Sequence, residues 1–122
     1  MNQIEAMRIY AAIDMDACRK NIHAMLAKLR SETKMTLDIK TDAYGHGDGY
    51  IASELESMGI RFFAVSNLEE ALSLRRKGIT GDILILGPTP YRRAKELARY
   101  GISQTVYSSE YARDLSHAAS DA

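Results

Sequence analysis

"RFFAVSNLEEALSLRRKGITGDILILG", residues 61–87, reads as one complete strand–helix–strand unit. Its two apolar runs, "RFFAVS" and "DILILG", flank a helix-like segment with Asn67 where an N-cap belongs and Gly78 where a left-handed residue would end the helix. "ILIL" (83–86) does not alternate apolar with polar residues, which is the pattern of a parallel strand covered on its faces. The same unit repeats on either side. Before it come "MTLDIK" and the helical "DGYIASELESMG"; after it come the helical "TPYRRAKELARYG", then "SQTVYS" and the helical "SEYARDLSHAAS". Gly59 and Gly101 repeat the helix-ending glycine, Thr89 and Ser109 stand where N-caps are wanted, and Pro90 takes a first helical position. Upstream, a β-like opening "MRIYAAI" (7–13) leads into "DMDACRKNIHAMLAKLR". There Asp14 or Asp16 can cap a helix, and Cys18, Ile22, Met25, Leu26 and Leu29 share one face.

The fold class is therefore α/β, with four successive β/α units. Two architectures accommodate them, an open doubly wound sheet and the N-terminal part of a (β/α)8 TIM-type barrel. No G-x-G-x-x-G follows any strand, which disfavours the dinucleotide-binding sheet and leaves the partial barrel. A whole barrel takes about 250 residues, so residues 1–122 make up roughly its first half. "SHAASDA" stops inside a helical pattern, and further chain is expected beyond it. In such a half barrel, Leu37, Phe63 and Ile85 are expected to face the interior without an opposite wall, with unpaired strand edges near Lys40 and Val106.

Composition narrows the function. Sixteen basic and sixteen acidic residues cancel, which favours neither nucleic acid nor an anionic membrane. The longest apolar runs fall far short of a membrane span, and the first residues lack the charged and apolar regions of a signal peptide. A single cysteine, Cys18, cannot form an intrachain disulfide, so the chain reads as cytoplasmic. His23, His46 and His117 are widely separated, and no metal site is expected.

The chemistry lies in "LDIKTDAYGHGDGY" (37–50). A lysine closing an apolar strand is unusual, because burying an unpaired ammonium is costly. At the C-terminal end of a barrel strand, where such folds carry their chemistry, partly apolar surroundings would make Lys40 a better amine nucleophile and a usable base. That is the demand of pyridoxal 5′-phosphate (PLP), which needs a Schiff-base lysine that also moves protons at Cα.

"KTDAYGHG" (40–47) resembles the K-A-D-A-Y-G-H-G signature of the alanine racemase family, departing from it only at Thr41. "IDMDACRKNI" is similar to the family's opening I-D-L-D-A-L-x-x-N, and residues 63–87 are similar to its F-A-V-A-x-x-E-E-A-x-x-L-R-x-x-G-I-x-x-P-I-L-V-L-G. The resemblance implies that Lys40 links PLP and serves as base on one face of Cα, and that the Tyr44 hydroxyl reaches the cofactor phosphate. It further implies a small amino-acid substrate (alanine, with serine as the alternative), a homodimer in the full-length protein, and a role in supplying D-alanine for peptidoglycan. An arginine facing the pyridine nitrogen, the main phosphate loop and an opposing tyrosine base would lie beyond residue 122, so these residues alone are expected to be inactive. The vancomycin-resistance serine/alanine racemases, tethered at the cytosolic side of a membrane, are a close variant that Thr41 leaves open. A non-catalytic PLP-binding barrel is the alternative from another class.

Several residues have plainer readings. His46, between two glycines, holds a turn rather than acting as acid or base. Asp42 orients its neighbours or simply makes the turn. Cys18 is a buried helix residue. The basic stretches "LRRKG" and "YRRAKELARY" read as solvated outer helix faces.

Overall fold

In the computed structural model, residues 12–44 and 47–120 are described, and the chain divides into two compact units, Met1–Ser31 and Glu32–Ala122. The first contains α1 (Met15–Leu26), whose N-terminus is closed by the Asp14 carboxylate accepting from the Ala17 amide at 3.1 Å. Within α1, Ile22 is buried and Cys18 half-buried, while Met25 is exposed. The expected opening strand lies largely outside the described residues.

The second unit contains β1 (Thr36–Asp38), α2 (Asp48–Ser57), β2 (Phe62–Val65), α3 (Leu68–Arg76), β3 (Asp82–Ile85), a 3-10 turn (Tyr91–Arg93) leading into α4 (Ala94–Arg99), β4 (Ile102–Gln104) and α5 (Ser109–Ser120). All strand pairs are parallel and the spatial order is β1-β2-β3-β4. Each helix therefore returns the chain to the next strand position in one direction, as in a barrel and unlike a doubly wound sheet, whose order reverses.

Side chains alternate across the sheet. In register, Leu37, Phe63, Ile83 and Ile102 share one face with Val65 and Ile85, while Thr36, Phe62 and Asp82 share the other with Asp38, Ala64, Leu84 and Ser103. The first face is the core: Phe63, Val65, Ile83 and Ile85 are almost wholly buried, as are Ala52 and Leu55 of α2 and Leu68, Ala71 and Leu74 of α3. This corrects the expectation of a missing wall for Phe63 and Ile85, which are among the best-covered of the described side chains, while Leu37 on the outer strand is half-buried. The open face is the other one. It is half polar and carries a groove of about 370 Å³ lined by Thr36, Phe62, Asp82, Leu84 and Ser103 together with Phe63 and Ile83.

The helix-ending glycines behave as expected, with φ of 92° at Gly59, 90° at Gly78 and 63° at Gly101. Asn67 caps α3 by accepting from the Glu70 amide at 2.9 Å. The other two caps differ. Thr89 is only 2% exposed and turns its hydroxyl to Gln104, and the amide-accepting hydroxyl at the start of α5 is that of Ser108, 3.0 Å from Tyr111 N. The final strand covers Ile102–Gln104, so "TVYS" lies in the loop after it.

The basic stretches are largely solvated, with Arg76, Lys77, Arg92, Lys95 and Arg99 exposed, but two half-buried arginines have structural partners. Arg75 donates to four carbonyls, those of Tyr100, Ile79, Gly81 and Gly101, and binds the loops at the N-terminal ends of β3 and β4. Arg93 bridges Glu96 at 2.8 Å and Glu69 at 2.5 Å, and these bonds hold the guanidinium above its ordinary range while drawing the Glu96 carboxyl below its own.

Candidate active site

The C-terminal ends of the four strands come together at one end of the sheet, and Lys40 stands there. Beyond β1 the Ile39 amide still donates to Ala64 O at 2.9 Å, prolonging the ladder by one residue. The backbone then turns left-handed through Lys40–Tyr44, with φ/ψ of 53°/53° at Thr41, 54°/42° at Asp42 and 54°/43° at Ala43. Left-handed helix costs an L-residue roughly 1–2 kcal/mol, and only Asp42 is a type that visits this region readily. Three such residues in succession amount to a strain on the order of 3–6 kcal/mol, which surrounding contacts must offset. They are present: Ala43 N donates to Ile39 O at 3.0 Å, Gly47 N to Asp42 O at 2.9 Å, and both Ile39 and Ala43 are buried.

Two carboxylates complete the hold. Asp38 accepts from the Lys40 amide at 3.1 Å through one oxygen and lies 3.6 Å from Lys40 Nζ through the other. Both side chains are 36% exposed, so the pair contributes at most about 1 kcal/mol and can exchange for another partner. This carboxylate-paired setting replaces the partly apolar one expected from the sequence. Glu70, in the first turn of α3, accepts from Ser66 Oγ at 2.5 Å, from Ser66 N at 3.3 Å and from Thr41 N at 3.4 Å. It ties the exit of β2 to the lysine turn.

The exits of β3 and β4 are joined separately. Gly87 N donates to Ser66 O at 3.2 Å, and a Cβ at Gly87 would lie 2.5 Å from that oxygen, so only glycine fits. Gln104 donates to Gly87 O at 2.8 Å and accepts from Thr89 Oγ1, while the Tyr111 hydroxyl donates to Thr89 O at 2.6 Å. Burial pushes the Tyr111 phenol above its ordinary range.

Of the residues singled out in the sequence, the structure places Lys40 at the strand end with Asp38. Tyr44 ends the left-handed turn, and its side chain, like His46, lies outside the described residues. Among the described residues no cluster of potential metal ligands is present. Glu70 was missed. Three residues after the N-cap Asn67, it reads in sequence as the acidic half of a capping box, whereas its carboxylate bonds Ser66 N, one residue earlier, and Thr41, which is 29 residues away.

Sequentially ordered parallel β/α units with a lysine at a strand's C-terminal end define a barrel-type domain whose strand ends carry the chemistry. The family model of the alanine racemase N-terminal domain matches residues 13–122, and the chain belongs to that family. Alanine racemase 1 of Caldanaerobacter subterraneus subsp. tengcongensis is 41% identical over 101 residues, covering 83% of this chain and 26% of that protein. Alanine racemase of Desulfosudis oleivorans is 40% identical over 119 residues, covering 98% and 30%. A serine/alanine racemase of Enterococcus gallinarum is 38% identical over 96 residues, covering 79% and 14%. The solved alanine racemase of Clostridium difficile 630 matches with a TM-score of 0.83 at 36% identity, over 88% of this chain and 29% of that one. The chain thus spans less than a third of the length of these relatives, and its fold is that of their N-terminal portion.

Proposed function

We propose that this chain is the lysine-bearing part of a PLP-dependent racemase of small amino acids, with alanine as substrate. The observation that carries the reading is Lys40: a primary amine one-third exposed at a strand's C-terminal end, held by a weak ion pair and leading into a strained turn. The residues fit the cofactor in that the amine is reachable and its Asp38 partner is exchangeable. PLP, when bound, supplies the electron sink that allows a proton to leave the substrate Cα.

The rest is done by the protein. Lys40 Nζ is the covalent attachment point and, once displaced by the substrate amine, takes or returns the Cα proton on its own face. Asp38 holds Nζ near the strand end until it is engaged. Tyr44 donates its hydroxyl to the cofactor phosphate. Inversion needs a second base on the opposite face, which we assign outside these 122 residues, in a homodimeric cytoplasmic protein that supplies D-alanine to the cell wall. Residues 1–122 alone then form one partial barrel domain that does not racemise alanine, even with PLP added. Serine is the second reading, favoured by the similarity to the serine/alanine racemase, and assays of the full-length protein on both amino acids separate the two.

Lys40→Ala in the full-length protein tests the assignment. The expected result is loss of both the visible absorbance of lysine-bound PLP and racemisation. Retained absorbance, with borohydride-trapped cofactor on another lysine, would overturn it. Bound PLP in the wild type without turnover of any amino acid would favour a non-catalytic PLP-binding barrel instead.

A further inference from the structure

Building on the reading of Lys40 as the cofactor lysine, we propose that Glu70 is a positioning residue that fixes the left-handed turn and thereby the place at which Lys40 presents its amine. Glu70 touches no reacting atom. Its two oxygens receive three donors, and the two ends of this bridge belong to different strand exits: Ser66 follows β2, while Thr41 follows β1 and Lys40. The carboxylate sits in the first turn of α3, where the helix N-terminus favours an anion, so it is anchored independently of the loop it holds. Thr41 is the β-branched residue of the strained turn and gains most by relaxing to a right-handed conformation. Its amide accordingly needs an acceptor that comes from outside the turn. A relaxed Thr41 would redirect the chain immediately after Lys40 and alter the approach of Nζ to Asp38.

Chemistry separates this role from generic packing. Glutamine has the shape of glutamate but only one acceptor oxygen, so in either amide orientation its NH2 faces an N–H, that of Ser66 or of Thr41. Glu70→Gln can thus keep the Thr41 bond by giving up that of Ser66 N, whereas Glu70→Met keeps the length of the side chain, offers no oxygen to any of the three donors and breaks the bridge. Ser66→Ala removes the hydroxyl bond and leaves the carboxylate able to hold the Thr41 amide.

The test uses residue-resolved hydrogen exchange together with borohydride trapping of PLP in the full-length protein. Glu70→Met should speed exchange at the Thr41 amide at least tenfold while the amides of β2 and β3 keep their protection, and should slow trapping at Lys40 about fivefold or more relative to the other lysines. Ser66→Ala should leave both within about twofold of wild type. Unchanged Thr41 exchange in Glu70→Met, or faster exchange with undiminished Lys40 trapping, would overturn the proposal. Loss of protection throughout β2 and β3 would also count against it, because Glu70 would then be a general stabiliser. If the wild type shows no selective trapping at Lys40, the cofactor reading fails, and the exchange measurement by itself decides whether Glu70 holds the turn.

Discussion

Lys40 is unusual less for its charge than for the backbone immediately after it. Three consecutive left-handed residues without a glycine persist only where neighbours over-determine them, and here a buried alanine, two backbone bonds and two carboxylates do so. The lysine was readable because its residue type conflicts with its place at the end of an apolar run. Its hold was not, because Glu70 reaches across 29 residues and presents in sequence the signature of an ordinary helix start. Tyr44 belongs to the same scale. If its hydroxyl binds the cofactor phosphate, Tyr44→Phe removes one bond to a charged acceptor, costing on the order of 1–3 kcal/mol. PLP affinity should then fall roughly 5- to 150-fold, with turnover recovered in excess cofactor. A fluorescence titration of the apo protein that finds unchanged affinity would remove Tyr44 from the site.

Strands, helices and the glycines that end them followed from local pattern, because each rests on residues adjacent in sequence. Loops after β3 and β4 did not. Thr89 has the residue type of a cap, but burial gives its hydroxyl a more valuable partner in Gln104, and the cap of α5 passes to Ser108. This loop network depends on pH. The folded-state pKa of Tyr111 is raised by burial, so between about 10 and that higher value the unfolded chain has lost its proton while the folded chain keeps it. Stability from this group is thus complete below pH 10 and declines as pH rises through the folded pKa. Denaturant midpoints of wild type and Tyr111→Phe, compared from pH 8 to 11, should show a steeper alkaline decline in the wild type. Parallel profiles would mean that Tyr111 titrates as it does in the unfolded chain.

Across the molecule, the order of the strands was decided by the repeat of β/α units, but the choice of core face was not. "FFAV" and "ILIL" are apolar at both parities, so neither run tells which side chains the helices cover. The short outer strands hold the information: Thr36 and Asp38 flank Leu37, and Ser103 follows Ile102, which marks the parity of Thr36, Leu84 and Ser103 as the open one. Adjacent residues of β3 therefore have unequal roles, since Ile85 is wholly buried under the helices whereas Leu84 is half-buried beside Asp82 and Ser103. Ile85→Ala leaves a cavity in the core and should cost about 2–5 kcal/mol, while Leu84→Ala at the partly open site should cost about 1 kcal/mol or less. Urea unfolding of the 122-residue chain measures both. In a longer protein whose remaining strands close over the open face, the cost of Leu84→Ala should rise toward that of Ile85→Ala, because the same leucine would then be fully covered. Equal costs in the short chain would mean that both faces are already buried, for instance by self-association through the open one. Dilution at fixed urea would reveal that, because the midpoint of an associated form falls as the protein is diluted.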